Sequence, residues 1–287
     1  MRLNQFASIT KKMAIAAFGA FLLLFLPVHL GINLCLLRDD GGHWFRLASH
    51  FMGTNYIVKV FEIVLIGSVL LHIIIGILLT IQNLLARPVR YKVSHKSKTH
   101  FMSRYMIYTG GLVGVFLIIH FVNFYFVKIN LVEGKYTAKL EQVQKAFGEK
   151  LNRLQAHEID EAEQEVLMAQ YHALTNVPQE KIDKYHVNLI NLTKDEVEVY
   201  CGKDYKAQPD FYAISKDLFS NKYYSLIYIL SFIILGLHLM HAINSLAQTF
   251  GLSHKKYNST IEFVAIAYAI IVPLGFALIP IIIYYFS

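Results

Sequence analysis

Four of the thirteen histidines, His29, His72, His120 and His238, each lie near the middle of a long apolar run. An ionisable side chain inside a membrane span is expensive to bury, so its presence there points to function. Neutral imidazole binds transition metals through a ring nitrogen. Four such side chains on four spans suggest two pairs, which is what two bis-histidine haems inside a helix bundle would need. His241 lies one helical turn beyond His238 and could itself be the ligand on that span.

The elements that must position these residues are read from hydropathy. The chain has 287 residues, 55% of them hydrophobic, and a mean hydropathy of +0.42, which places it among membrane proteins. Five apolar stretches, 13–37, 56–85, 105–128, 223–250 and 261–286, are each long enough to cross a hydrocarbon core of about 30 Å as a helix. The first follows Lys11 and Lys12 but is too long for a signal-peptide core and has no small-residue cleavage site, so it is read as retained. Aromatic residues mark the span ends: Trp44 and Phe45, Tyr223 and Tyr224, Tyr284 and Tyr285. Pro273 and Pro280 fall inside the fifth span, where neighbouring helices must satisfy the carbonyls they free.

The net charge of +7 could suggest a nucleic-acid partner, but its distribution argues against one. Arg2, Lys11 and Lys12, then Arg87, Arg90, Lys92, Lys96, Lys98 and Arg104, then Lys255 and Lys256, fill three segments without an acidic residue. Five spans put all three segments on one side. The positive-inside rule makes that side cytoplasmic, with the amino terminus inside and the carboxyl terminus outside.

Orientation turns sequence distance into depth. His29 lies sixteen residues past Met13 and His120 fifteen past Tyr105, roughly 24 Å outward from the inner boundary. His72 lies sixteen residues past Tyr56 and His238 fifteen past Tyr223, the same distance inward. The histidines sort into an outer pair, His29 and His120, and an inner pair, His72 and His238. The layers are on the order of 15–18 Å apart in a core of about 30 Å. Gly31, Gly67, Gly76, Gly110, Gly111, Gly114 and Gly236 allow a flat macrocycle close to backbone, and serve helix packing equally well.

The segment 129–222 is the one large piece outside the spans. Leu140, Val143, Phe147, Leu151 and Leu154 recur at helical spacing, giving an amphipathic helix or a hairpin continuing through 158–173. A short strand is expected around 196–200 (VEVY). Cys35 and Cys201 both fall on the outer side and are read as unpaired, a disulfide remaining open. The absence of C-x-x-C-H excludes covalently attached c-type haem.

The stretch His238 to Tyr257, H-L-M-H-A-I-N-S-L-A-Q-T-F-G-L-S-H-K-K-Y, resembles a known pattern. It has a haem-ligating histidine, a small residue four positions later and a glycine ending the helix thirteen positions later; here these are His238, Ala242 and Gly251. Ala242 stands where glycine is usual. On this stretch and all five spans, the chain resembles the dihaem cytochrome b membrane subunit of succinate dehydrogenases and fumarate reductases, of the fused five-helix, b558-like type. The resemblance implies an all-α membrane protein. Its fold would be a haem-binding four-helix bundle plus one peripheral helix, with a long, partly helical loop between helices 3 and 4. The domain organisation would be transmembrane helices 1–3 over 1–128, an extracytoplasmic loop over 129–222, and helices 4–5 over 223–287.

The resemblance further implies His29 and His120 as axial ligands of an outer haem b, and His72 and His238 of an inner one. His241 would lie near a haem edge or propionate. It implies an anchor in the bacterial inner membrane for a flavoprotein (FAD) subunit and an iron–sulfur subunit on the cytoplasmic face. Electrons would pass through the haems between the clusters and menaquinone, in a succinate:quinone oxidoreductase or a quinol:fumarate reductase. The chain carries no dinucleotide fingerprint or cluster-ligating cysteine set, so it is not expected to act on succinate alone. Quinone reduction needs protons, and Glu62, about 15 Å outward of His72, is the first candidate to carry them. Asp39, Asp40, His43 and His50 are others, and Glu262 has no comparable case. Arg38, Arg46, Arg87 and Arg90 are candidate propionate partners. Two other classes compete: a histidine-relay proton channel or transporter, and a haem-free assembly anchor. The spans are poor in the further polar residues that a relay needs, and no inverted repeat is evident.

Overall fold

A computed structural model describes residues 2–86, 105–139, 189–201 and 208–286, with single positions between 143 and 172. The chain order is α1 (Arg2–Leu34), a 3-10 turn (Cys35–Leu37), α2 (His43–Thr54), α3 (Tyr56–Leu85), α4 (Met106–His120), a π turn (Phe121–Tyr125), a last helical turn (Phe126–Lys128), β1 (Tyr136–Lys139), β2 (Leu189–Leu192), α5 (Lys194–Cys201), β3 (Gln208–Pro209), α6 (Phe211–Ser220), α7 (Lys222–Thr249) and α8 (Asn258–Phe286). Five helical stretches, Ile9–Leu37, Tyr56–Leu85, Met106–Lys128, Lys222–Thr249 and Asn258–Phe286, are long and apolar enough to cross a membrane. They match the expected spans to within a few residues, and the chain is a multi-pass membrane protein by length and composition. Their outward faces keep large apolar side chains on the surface, as with Leu24, Ile63 and Phe263, which suits contact with lipid.

The chain divides into two compact units. The first comprises Met1–Leu37, His50–Ile119 and Phe219–Ser287; the second comprises Arg38–Ser49 and His120–Leu218.

In the first unit α8 packs most extensively on α7 and also on α1, while α1 packs on α3. The expected peripheral role of the fifth span therefore does not describe α8. It buries Ala265, Ala269, Val272, Phe276, Ala277 and Ile283, whereas in α3 only Ser68 is buried. Small side chains explain this: Ala265, Ala269 and Ala277 bring the neighbouring backbones close, and without a hydrophobic drive in lipid such contacts hold helices together. Two glycines make the approach possible. A Cβ on Gly236 of α7 would lie 2.7 Å from the Ala269 carbonyl oxygen, and one on Gly275 of α8 would lie 2.8 Å from Leu30 of α1. Phe116 of α4 meets Tyr228 and Phe232 of α7 edge-on at 5.2 and 5.5 Å, and Phe232 stacks on Phe276 at 5.4 Å. Asn55 and Asn221 begin α3 and α7 as N-caps, each side chain accepting from the two amides that follow by two and three positions.

The second unit holds a three-stranded antiparallel sheet in the order β2-β1-β3, with Tyr136 opposite both Leu192 and Pro209. An all-α expectation omits this sheet. Tyr136, Ala138, Val143, Leu192 and Val197 are buried in this unit. Val143 is helical as expected; Leu140, Phe147, Leu151, Leu154 and most of 158–173 lie outside the described residues. The strand expected around 196–200 is instead the helix α5. Thr193 Oγ1 accepts from the Glu196 amide at 3.2 Å, and the Glu196 carboxylate accepts from the Thr193 amide at 2.7 Å. This reciprocal capping box nucleates a helix that the alternation of VEVY does not reveal.

Asp210 organises the rest of the unit. Its carboxylate is fully buried and takes hydrogen bonds from Arg46 Nε and Nη2 at 2.9–3.2 Å. It also caps α6, accepting from the amides of Tyr212 and Ala213. Arg46 donates through Nη1 to the Gly41 carbonyl at 2.7 Å, and its guanidinium lies 4.8 Å from the Tyr212 ring centroid. Gly42, at φ +84°, lies under the same ring so closely that a Cβ would sit 2.5 Å from it. Only glycine meets both conditions.

Candidate functional site

His72 and His238, expected as the inner pair, meet within the first unit. His72 on α3 and His238 on α7 have ring centroids 6.5 Å apart and planes at 82°. Two imidazoles sharing one metal at roughly 2 Å per bond would have centroids about 6 Å apart. The pair therefore fits a group held between two axial nitrogens. Two imidazoles supply two ligands only, and among the described residues no cluster of three or more His, Cys, Asp or Glu could hold a bare ion.

The surroundings of the two rings fit the same group. A Cβ on Gly19 of α1 would lie 3.4 Å from His72 Cε1, and one on Gly110 of α4 would lie 3.3 Å from His238 Cε1. Each ring thus lies at close range to a glycine on a neighbouring helix. Thr109 donates its hydroxyl proton to the Met106 carbonyl at 3.0 Å, and its Oγ1 lies 3.4 Å from His238 Nδ1. With that proton committed, the contact is satisfied by an Nδ1–H on His238. The Nε2 lone pair is then left for a metal. In His72, Nδ1 is buried without a closed hydrogen bond among the described residues, the Ile15 carbonyl being the backbone acceptor that faces the ring. A small ring rotation would let it donate there and fix the same tautomer. His241, on α7, is half-buried.

His29 belongs to the first unit and His120 to the second, and each is described in its own unit. His29 stacks on Phe25 at 5.0 Å and meets Phe276 of α8 at 5.6 Å. Asn33 donates to the His29 carbonyl at 2.7 Å and lies 3.4 Å from its Nδ1. His120 ends the regular part of α4, lies 5.1 Å from the Phe124 ring, and is followed at once by the π turn. Such turns recur at functional sites because they shift side-chain register inside a helix.

The proton-carrier and propionate candidates are scattered. Glu62 is half-buried on α3. Asp40 is engaged at the start of α2, accepting from the Gly42 amide at 2.9 Å and from Arg38 at 3.3 Å. Asp39, His43, His50 and Glu262 are exposed. Arg38 also lies 5.3 Å from the Trp44 ring centroid. Arg46 is committed to Asp210, Gly41 and Tyr212, which occupies the guanidinium that a propionate would need. Arg87 and Arg90 lie outside the described residues, as does the side chain of Cys201; Cys35 is a free thiol.

Sequence reasoning missed Gly19, Thr109 and Asn33. Each had a signal: a glycine opposite a histidine in a facing span, or a polar residue in an apolar run one turn from a candidate ligand. No protein-family model, curated protein or solved structure matches the chain.

Proposed function

We propose that this chain is the haem-bearing membrane subunit of a succinate:quinone oxidoreductase, set in a bacterial inner membrane with its amino terminus inside. The observation that carries the reading is the facing pair His72 and His238, at ligating separation inside an apolar helix assembly. Haem, when bound, supplies one-electron oxidation and reduction. His72 and His238 hold the inner group through Nε2; Thr109 orients His238, and Gly19 and Gly110 clear the space that each ring occupies. His29 and His120 hold the outer group, and His241 neighbours the inner one. Apolar spans surround both pairs, and such a shell tunes the chemistry of a bound group.

A flavoprotein and an iron–sulfur subunit dock on the face carrying the basic segments, and menaquinone exchanges electrons and protons near the outer pair. There Glu62 moves the protons. The same anchor serves a quinol:fumarate reductase equally well, since direction follows from quinone potential and partner subunits.

The test is a reduced-minus-oxidised spectrum of the purified chain. Two b haems per chain are expected. His72→Ala or His238→Ala should remove one haem and leave the other, and His29→Ala or His120→Ala should remove the other. A chain that binds no haem in any preparation ends the proposal. Loss of the inner haem from His241→Ala but not from His238→Ala would move the ligand by one turn.

A further inference from the structure

Proline 27 interrupts α1 two residues before His29. Having no N–H, it leaves the carbonyl of Leu23, four residues earlier, without its helical donor. An unsatisfied carbonyl is costly in hydrocarbon and must find a partner from a neighbouring helix. The Tyr268 hydroxyl of α8 donates to that carbonyl. Two further contacts tie the same turns together: Phe276 lies against His29 at 5.6 Å, and Gly275 admits Leu30 where a side chain would collide with it. The fifth span bears none of the four histidines, yet it grips α1 on both sides of the interruption.

We infer that Tyr268 is a positioning residue: its hydroxyl replaces the amide that Pro27 lacks and thereby holds the turn of α1 that sets the direction of the His29 imidazole. A tyrosine fits because its rigid ring carries a donor across the gap between helices while burying apolar surface. The inference about His29 rests on the haem reading only for its spectroscopic readout; the hydrogen bond does not.

The experiment is a cycle of Tyr268→Phe, Pro27→Ala and the double variant in the full chain purified in detergent. Alanine restores the amide to Leu23, so the two changes should not add. Tyr268→Phe alone should lower the melting temperature by about 2–4 °C, the shift for one lost hydrogen bond in a protein of this size. In the Pro27→Ala background it should cost nothing. Equal losses in both backgrounds would overturn the inference. Where the chain carries haem, Tyr268→Phe should shift the low-spin EPR signal that His29→Ala abolishes and leave the inner-haem signal in place. If both signals stay unchanged, Tyr268 does not position His29. Where the chain carries none, the haem reading fails on its own. The same comparison is then made on the nitrogen NMR signals of labelled His29, which should move in Tyr268→Phe and return in the double variant.

Discussion

Replacing Gly236 by alanine tests how tightly α7 is set against α8. The added Cβ would stand 2.7 Å from the Ala269 carbonyl oxygen, a backbone atom that cannot rotate away. Non-bonded heavy atoms settle near 3.5 Å, so the helices must part by roughly 0.5–1 Å. Overpacking of this kind costs about 1–3 kcal/mol. Alanine also gains about 1 kcal/mol over glycine within any helix, so the comparison needs a control that shares that gain. Gly111→Ala provides it, because nothing lies within 4 Å of the position its Cβ would take. The difference in unfolding free energy between the two variants then isolates the clash, at about 1–3 kcal/mol against Gly236→Ala. The assay is thermal unfolding in detergent, followed in parallel by absorbance of the inner haem proposed above, since His238 lies two residues on. Equal stability of the two variants, with equal haem content, would refute the close approach and the role given to α8.

Further expectations concern the second unit and the proton path. Asp210→Ala strands the Arg46 guanidinium and uncaps α6, and should destabilise the second unit by about 3–5 kcal/mol, read as faster limited proteolysis; a rate equal to wild type would sink the latch. Gly42→Ala forces a positive φ on a residue with a Cβ and drives that Cβ into the Tyr212 ring, so it should reproduce the Asp210→Ala proteolysis pattern. Burial, and then the neighbouring Glu133 carboxylate, raise the Tyr136 hydroxyl above its ordinary value of 10.0. The folded chain therefore keeps that proton longer than the unfolded chain, and stability should fall as pH rises past about 10; Tyr136→Phe should remove this alkaline loss, and an unchanged pH profile would count against it. On the proposed function, Glu62→Gln should slow quinone turnover at least tenfold while leaving the spectra of both proposed haems intact; normal turnover would release Glu62 from the proposed proton path.

The spans were legible because a hydrocarbon core demands an unbroken apolar run, and composition alone records one. The nearness of His72 and His238 was legible for a related reason: with the spans fixed, counting residues from each span's start puts the two at a similar level, and their rings lie 6.5 Å apart. What sequence could not show was lateral. Nothing in the run around Pro273 says that α8 packs against both α1 and α7, because its alanines and glycines read as ordinary apolar filler. Arg46 and Asp210 are 164 positions apart, and each alone looks like a solvated loop charge. The reversal at VEVY is of another kind. The Thr193–Glu196 box is present in the sequence, and its capping outweighs the two-residue alternation.

The π turn after His120 has a consequence for how this helix tolerates change. One extra residue in a turn advances every later side chain by about 100° around the axis. The facing of Val127, buried under Gly134, is therefore uncoupled from the facing of His120. A single deletion within 121–125 would restore regular winding and leave both the histidine and the following turn facing as they do, whereas rewinding the turn at full length would swing that turn away from the strands it supports. The turn acts as a phase joint, letting two ends of one rod answer to different neighbours.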